Sequence, residues 1–122
     1  MSKHNETGKK GEELARHYLL KKGYEILEVN WHFMHKEIDI VAKINDTMVF
    51  VEVKTRASLN FELPKEAVTI RKQKNLVFAA DAYLQENDIN LPSRFDIVSV
   101  YAQDPPKILE HLEEAFSPHE LI

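Results

Sequence analysis

Apolar positions between residues 8 and 22 recur at helical spacing: Leu14, Ala15, Tyr18 and Leu19 share one side, and Gly23 supplies a C-terminal stop. From there the period shortens to two. YEILEV, residues 24–29, alternates as a strand does, and WHFMHK leads into two runs rich in strand formers, Ile38–Lys43 and Met48–Val53. Asn45-Asp46 between these runs suits a two-residue hairpin turn. Beyond a loop containing Pro64, helical spacing returns, with Thr69 as N-cap and Leu76, Val77, Ala80 and Leu84 as the buried stripe of a helix reaching about Asn87. RFDIVSVYA, residues 94–102, reads as another strand. After Pro105-Pro106, KILEHLEEAF reads as a strand entering a short helix or as one helix, the first being preferred. The order α-β-β-β-α-β, with a C-terminal strand or short helix, predicts an α/β fold: a mixed sheet flanked by helices.

With the turn at Asn45-Asp46, Asp39 faces Glu52 across the hairpin, and side-chain alternation puts Lys54 on the same face as Glu52. Like charges opposite one another destabilise a sheet, so something must compensate. One reading is a solvated strand end neutralised by Lys54 as an ordinary cross-strand ion pair. The other is a Mg²⁺ or Mn²⁺ site, since hard divalent cations take carboxylate and carbonyl oxygen, and the backbone carbonyl of Val53 lies within reach. Two neighbouring carboxylates favour the ammonium form of Lys54, which then suits transition-state stabilisation or water orientation better than proton abstraction.

Glu12 borders the apolar stripe of the first helix, and Gly8 and Gly11 permit close approach of that turn to a neighbour; the alternative for Glu12 is a pair with Arg16 one turn on. Arg71, Lys72 and Lys74 crowd the start of the second helix, where the macrodipole disfavours positive charge. They form a seat for phosphate, or are neutralised by Glu62 and Glu66 just upstream. Arg56 adds a candidate phosphate contact. Trp31, His32 and Phe33 could stack a base or belong to the core. The six histidines, His4, His17, His32, His35, His111 and His119, lack the spacing of a zinc hydrolase.

A length of 122 residues is the size of one domain, with residues 1–7 and 117–122 as tails. The absence of cysteine excludes disulfides and thiolate metal sites. No apolar run approaches the roughly 20 residues of a membrane span, so a cytoplasmic protein is expected. Net charge is −4, but residues 1–56 hold ten Lys/Arg against nine Asp/Glu, and residues 104–122 hold one against five. The excess negative charge thus sits in the C-terminal stretch, and the near-neutral body neither favours nor excludes a nucleic acid.

The ordered set GKKGEELARHYLLKKGYEILEVNW, EIDIVA, VFVEVKTR, IRKQKN, RFDIVSV and EEAF, spanning about residues 8–116, resembles the YraN-type family of bacterial proteins. That family looks like a branch of the restriction-endonuclease-like superfamily, similar to the archaeal Holliday-junction resolvases. The resemblance implies a resolvase-like endonuclease core, with Asp39, Glu52 and Lys54 as the nuclease triad and Glu12 as an additional helix carboxylate. It also implies a Mg²⁺ (or Mn²⁺) cofactor and a DNA substrate, branched or otherwise structured, as in recombination and repair. The chain departs from the family pattern at Lys36, where many members carry Gly, and at His32, where many carry Arg. The expected function is a metal-dependent DNA nuclease, monomeric or homodimeric. The alternatives are a non-catalytic module that grips branched DNA or a recombination or repair protein, and a small structural domain with a solvated hairpin.

Overall fold

A computed structural model describes residues 3–57 and 68–118, with the backbone alone for residues 3–7. Seven elements follow one another: helix α1 (Lys3–Lys21), strands β1 (Glu25–Phe33), β2 (Lys36–Ile44) and β3 (Thr47–Arg56), helix α2 (Ile70–Glu86), and strands β4 (Ser93–Tyr101) and β5 (Lys107–Phe116). The strands form one mixed sheet in the order β1-β2-β3-β4-β5. Among the described residues only the β3–β4 pair is parallel, and α2 lies in the crossover between these two strands, as a parallel connection requires.

The β2–β3 hairpin has the predicted register: Ile40 pairs Val51, Ala42 pairs Val49 and Ile44 pairs Thr47. Asn45 and Asp46 take φ of 47° and 62°, the left-handed conformation that a tight hairpin turn demands. Because side chains alternate across the sheet, the two faces receive different helices. On one face Ala15 and Leu19 of α1 cover Ile40, Val49, Val51, Val98 and Val100. On the other, Leu76, Ala79, Ala80 and Tyr83 of α2 cover Met48, Phe50, Phe95 and Ile97. Both helices therefore bury the stripes their periodicity marked, with Val77 and Leu84 at the margin. Thr69 caps α2 as expected, its hydroxyl accepting from the Lys72 N–H at 3.2 Å.

Some expectations require correction. The segment KILEHLEEAF is strand throughout, with no helix. Its Leu and Glu residues favour a helix locally, but β4 offers an unpaired edge that β5 fills, and pairing outweighs propensity. The accommodation shows in two irregularities of register and in Glu114, whose φ is 48°. Helix α1 starts at Lys3 rather than near residue 8, so the expected N-terminal tail is largely helical backbone. Strand β1 runs on through Trp31 to Phe33 and turns at Met34-His35. The loop with Pro64, Glu62 and Glu66 lies outside the described residues, as do His119 and the rest of the C-terminal tail beyond Pro118. Among the described residues no helix is long and apolar enough to cross a membrane.

Of the two glycines expected to permit close approach, only Gly11 is used that way. A Cβ there would lie 2.8 Å from Thr55 Oγ1 and 3.7 Å from Val100 Cγ1, whereas one at Gly8 would meet nothing within 4 Å. Gly11→Ala is therefore expected to push α1 off β3 and cost about 1–3 kcal/mol, read as a lower urea midpoint. Gly8→Ala should match the parent or exceed it.

Candidate functional site

Strand pairing between β2 and β3 closes at Ile40–Val51, one position short of Asp39 and Glu52. Instead of continuing the backbone pattern, Asp39 Oδ2 accepts from the Val53 N–H at 2.8 Å. The alternation of β2 breaks at the same place: Ile40 and Ala42 face α1, while Ile38 and Val41 both face α2. Glu52 follows Met48 and Phe50 onto the α2 side and is 3% exposed. Asp39 and Glu52 line the same two recesses. Burial, then the charge of Glu52, push the Asp39 carboxyl up to about 9, against the Val53 N–H. The Asp39 carboxyl is thereby held toward its protonated form.

Further groups converge on this pair. Lys72 Nζ, from the first turn of α2, lies 2.6 Å from Glu52 Oε2. Burial opposes its charge, but the bond and charge of Glu52 outweigh burial and hold the ammonium above its ordinary range. Burial also raises the Glu12 carboxyl, assisted by the charges of Glu37 and Glu52. With its amide nitrogen facing the carboxylates, Asn30 donates to Glu12 Oε1 at 2.6 Å and to Glu37 Oε1 at 3.2 Å. Lys54 shares with Glu12, Asp39, Glu52 and Lys72 a recess of about 260 Å³. A second recess of about 300 Å³ opens on Asp39 and Glu52 between His35 and Lys36 on one wall and Arg71, Lys72 and Asn75 on the other.

Four predicted residues, Glu12, Asp39, Glu52 and Lys54, thus come together with Val53 at the rim. The basic residues divide. Arg71 and Lys72 face the recess, while Lys74 lies on another groove with Val77, Phe78 and Phe95. Lys72, not Lys54, makes the ion pair with Glu52. Arg56, expected to contact phosphate, is 7% exposed and its carbonyl accepts from the Ala102 N–H; its burial does not suit a surface contact in this conformation. Trp31 stands edge-on to Tyr83 at 5.1 Å and belongs to the core, while exposed His32 lies 3.6 Å from Glu37. Sequence reasoning missed Glu37 and Asn30. The only hints were a second acid two residues before Asp39 and the tolerance of Asn for the left-handed conformation, which Asn30 takes with φ of 51°. Among the described residues, no three His, Asp or Glu side chains are grouped closely enough to enclose a metal by themselves.

A sequence model of the uncharacterised protein family UPF0102 matches residues 11–100, from the turn that carries Glu12 to the end of the parallel strand pair. The chain belongs to the UPF0102 family. The UPF0102 protein of Phocaeicola vulgatus is 46% identical over 118 residues, covering 97% of this chain and 98% of its own. UPF0102 protein FP2501 of Flavobacterium psychrophilum is 47% identical over 116 residues, covering 95% and 98%. The UPF0102 protein of Bacteroides thetaiotaomicron is 46% identical over 118 residues, covering 97% and 98%. The YraN-type resemblance is thereby borne out, and the UPF0102 match includes every residue of the carboxylate cluster.

The UPF0102 segment RFDIVSV carries a second buried charge. Arg94 grips Asp96 with two hydrogen bonds of 2.9 Å, Nε to Oδ1 and Nη2 to Oδ2, and also reaches the Tyr24 hydroxyl at 2.6 Å. His111 Nε2 lies 2.7 Å from Asp96 Oδ2, and Tyr18 OH 3.1 Å from His111 Nδ1. This network ties the end of α1 to β4 and β5. It holds the sheet edge together and shares no residue with the recesses around Asp39.

Proposed function

We propose that this UPF0102 chain is a metal-dependent nuclease that hydrolyses phosphodiester bonds in DNA, on a restriction-endonuclease-like core, with branched or recombination and repair intermediates as substrate. The observation that carries this reading is the convergence of Asp39, Glu52 and Lys72 on the same two recesses. Two carboxylates brought together, Glu52 buried and Asp39 half-buried, are costly, and the Lys72 ammonium on Glu52 offsets part of that cost. The same need is met by a cation.

The donors fit Mg²⁺ or Mn²⁺. They are oxygen only, and Mg²⁺ is commonly held by one or two carboxylates, the remaining positions falling to water and substrate phosphate. That matches a site where Asp39 and Glu52 line the same recess and, among the described residues, no group of three His, Asp or Glu side chains encloses an ion by itself. Asp39 and Glu52 would hold the ion, Glu12 through water, with the Val53 carbonyl a further candidate. When bound, such an ion supplies charge neutralisation at the phosphate and a water of lowered pKa. Lys54, in the same recess, stabilises negative charge growing on the transferring phosphate. Arg71, on the adjoining wall, holds a neighbouring phosphate of the strand. Lys72, now paired with Glu52, would be a further cation available to the substrate if an ion took over the neutralisation of Glu52.

Calorimetric titration with Mn²⁺ and Mg²⁺, with and without a DNA junction, tests the site. Saturable binding in the parent and none in Asp39→Asn is expected. Silence in the parent under both conditions would move the reading to the non-catalytic module, which the near-neutral charge of residues 1–103 favours.

Asp39 also fixes a pH dependence. A carboxyl whose folded pKa lies above its unfolded value retains a proton that the unfolded chain releases. Its stabilising contribution is complete below 3.8 and is lost as pH rises toward about 9. The melting temperature of the metal-free parent should therefore carry a declining component between pH 5 and 9 that Asp39→Asn lacks. Mn²⁺ affinity should rise over the same window, because the ion displaces the proton.

A further inference from the structure

The turn between β1 and β2 projects the most exposed of the large hydrophobic side chains among the described residues: Met34 is 65% exposed, against 57% for Ile70 and 49% for Phe78. Met34 and His35 both take positive φ, 48° and 67°. His tolerates that conformation, but Met rarely takes it, so the fold accepts strain at Met34 to present this side chain. Behind the tip lies a rigid shelf of rings. Phe33 lies parallel to Trp31, with centroids 6.1 Å apart and planes within 2°, and Trp31 is anchored edge-on against Tyr83 in the core. Phe33 continues to the exposed Phe78 at 5.8 Å, over which Lys36 Nζ sits 4.9 Å from the ring centroid.

The residues on the C-terminal side of the same turn have the opposite character. His35 and Lys36 form one wall of the recess that ends at Asp39 and Glu52, with Arg71 facing them. An apolar tip backed by aromatic rings is thus joined, with no intervening residue, to a polar wall in which Lys36 and Arg71 flank Glu37 and lead to the carboxylate pair. The ligand matching both halves has a flat apolar surface covalently tied to phosphate, which is an unstacked nucleotide in a nucleic-acid strand.

We propose that the β1–β2 turn is a nucleobase wedge: Met34 and Phe33 take an unstacked base at a branch or break in DNA, while His35, Lys36 and Arg71 take the adjoining phosphates and lead the strand toward Asp39 and Glu52. This rests on the nuclease reading, and its test separates the two. Full-length Glu52→Gln protein is mixed in Mg²⁺ buffer with a four-way DNA junction carrying 2-aminopurine next to the branch, and with a linear duplex of the same sequence. The fluorescence should rise severalfold on the junction alone, and the junction should bind about tenfold tighter than the duplex. Met34→Asn, added to Glu52→Gln, suits the turn and so preserves the fold; it should lose the fluorescence rise and about tenfold of the junction preference. Met34→Leu should retain both. Unchanged fluorescence and preference in the Asn variant overturn the wedge even if the parent enzyme cuts DNA, and so does an absence of DNA binding. A wedge signal in a parent that cuts nothing overturns the nuclease reading and leaves the wedge standing.

Discussion

Glu52→Gln is expected to lower DNA cleavage ~10³-fold or more, while the metal-free protein melts no lower than the parent. Gln matches Glu in shape and can still accept from Lys72 through its amide oxygen, so the packing beneath α2 is retained. What disappears is the buried charge of Glu52, next to Asp39 in the same recess. Without metal, that removes a repulsion the fold otherwise offsets with a proton on Asp39 and the ammonium of Lys72. On the proposed function, with metal and DNA it would remove a ligand of the cation that neutralises charge at the phosphate, a loss at least as large as that of a single transition-state hydrogen-bond donor, ~10²–10³-fold. A site that gains stability when its charge is removed while losing activity is the signature of strain kept for function. Gel cleavage assays on a labelled junction, with thermal melting in chelator, read both sides. Parental cleavage by the variant would rule out the assignment; a large fall in melting temperature would instead make Glu52 a structural ion-pair residue.

Replacing Asp96 by Ala should have the largest effect on folding, about 3–5 kcal/mol. The Asp96 side chain is fully buried, and four groups depend on it: two nitrogens of Arg94, His111 Nε2 and the Glu114 N–H. Ala leaves Arg94, itself 16% exposed, without its buried counter-charge, and leaves the Glu114 N–H without its acceptor, at the point where β5 departs from regular pairing. Urea denaturation at pH 7 measures the loss. The network also sets an acid limit. Burial opposes the Asp96 charge, but the bonds from His111 and Arg94 outweigh it and hold the carboxyl below its ordinary 3.8. A depressed carboxyl stabilises fully above its unfolded value, and that stability is lost as pH falls through the folded one. Asp96 thus destabilises the fold only below about pH 4, the opposite sense to Asp39. Asp96→Asn should remove the acid dependence and, where it folds, bind Mn²⁺ like the parent, since the network lies apart from the carboxylate cluster.

Much of this was legible in the chain because the signals were local. Apolar period distinguished the helices from the strands, Asn45-Asp46 set the hairpin register, and that register brought Asp39 toward Glu52 and Lys54. The segment KILEHLEEAF misled because its residue preferences are helical, while its conformation is decided by the open edge of β4. The β1–β2 turn gave no signal because neither Met34 nor His35 is a turn residue. Lys72 was legible as a helix-start cation but not as the counter-ion of Glu52.

The sequence by itself therefore determined the element order up to β4, the central hairpin with its register, the two buried helix stripes and the family. These depend on contacts between residues a few positions apart or on period, which a linear chain displays. Only the tertiary structure decided that β5 is a strand, that Asp39 leaves its pairing to accept from Val53, that Asn30 and Glu37 join the cluster, and that Arg56 is buried. Each of these depends on which surfaces meet when the sheet closes between its helices, and burial then decides which charges share a proton, which find a counter-ion and which stay in water.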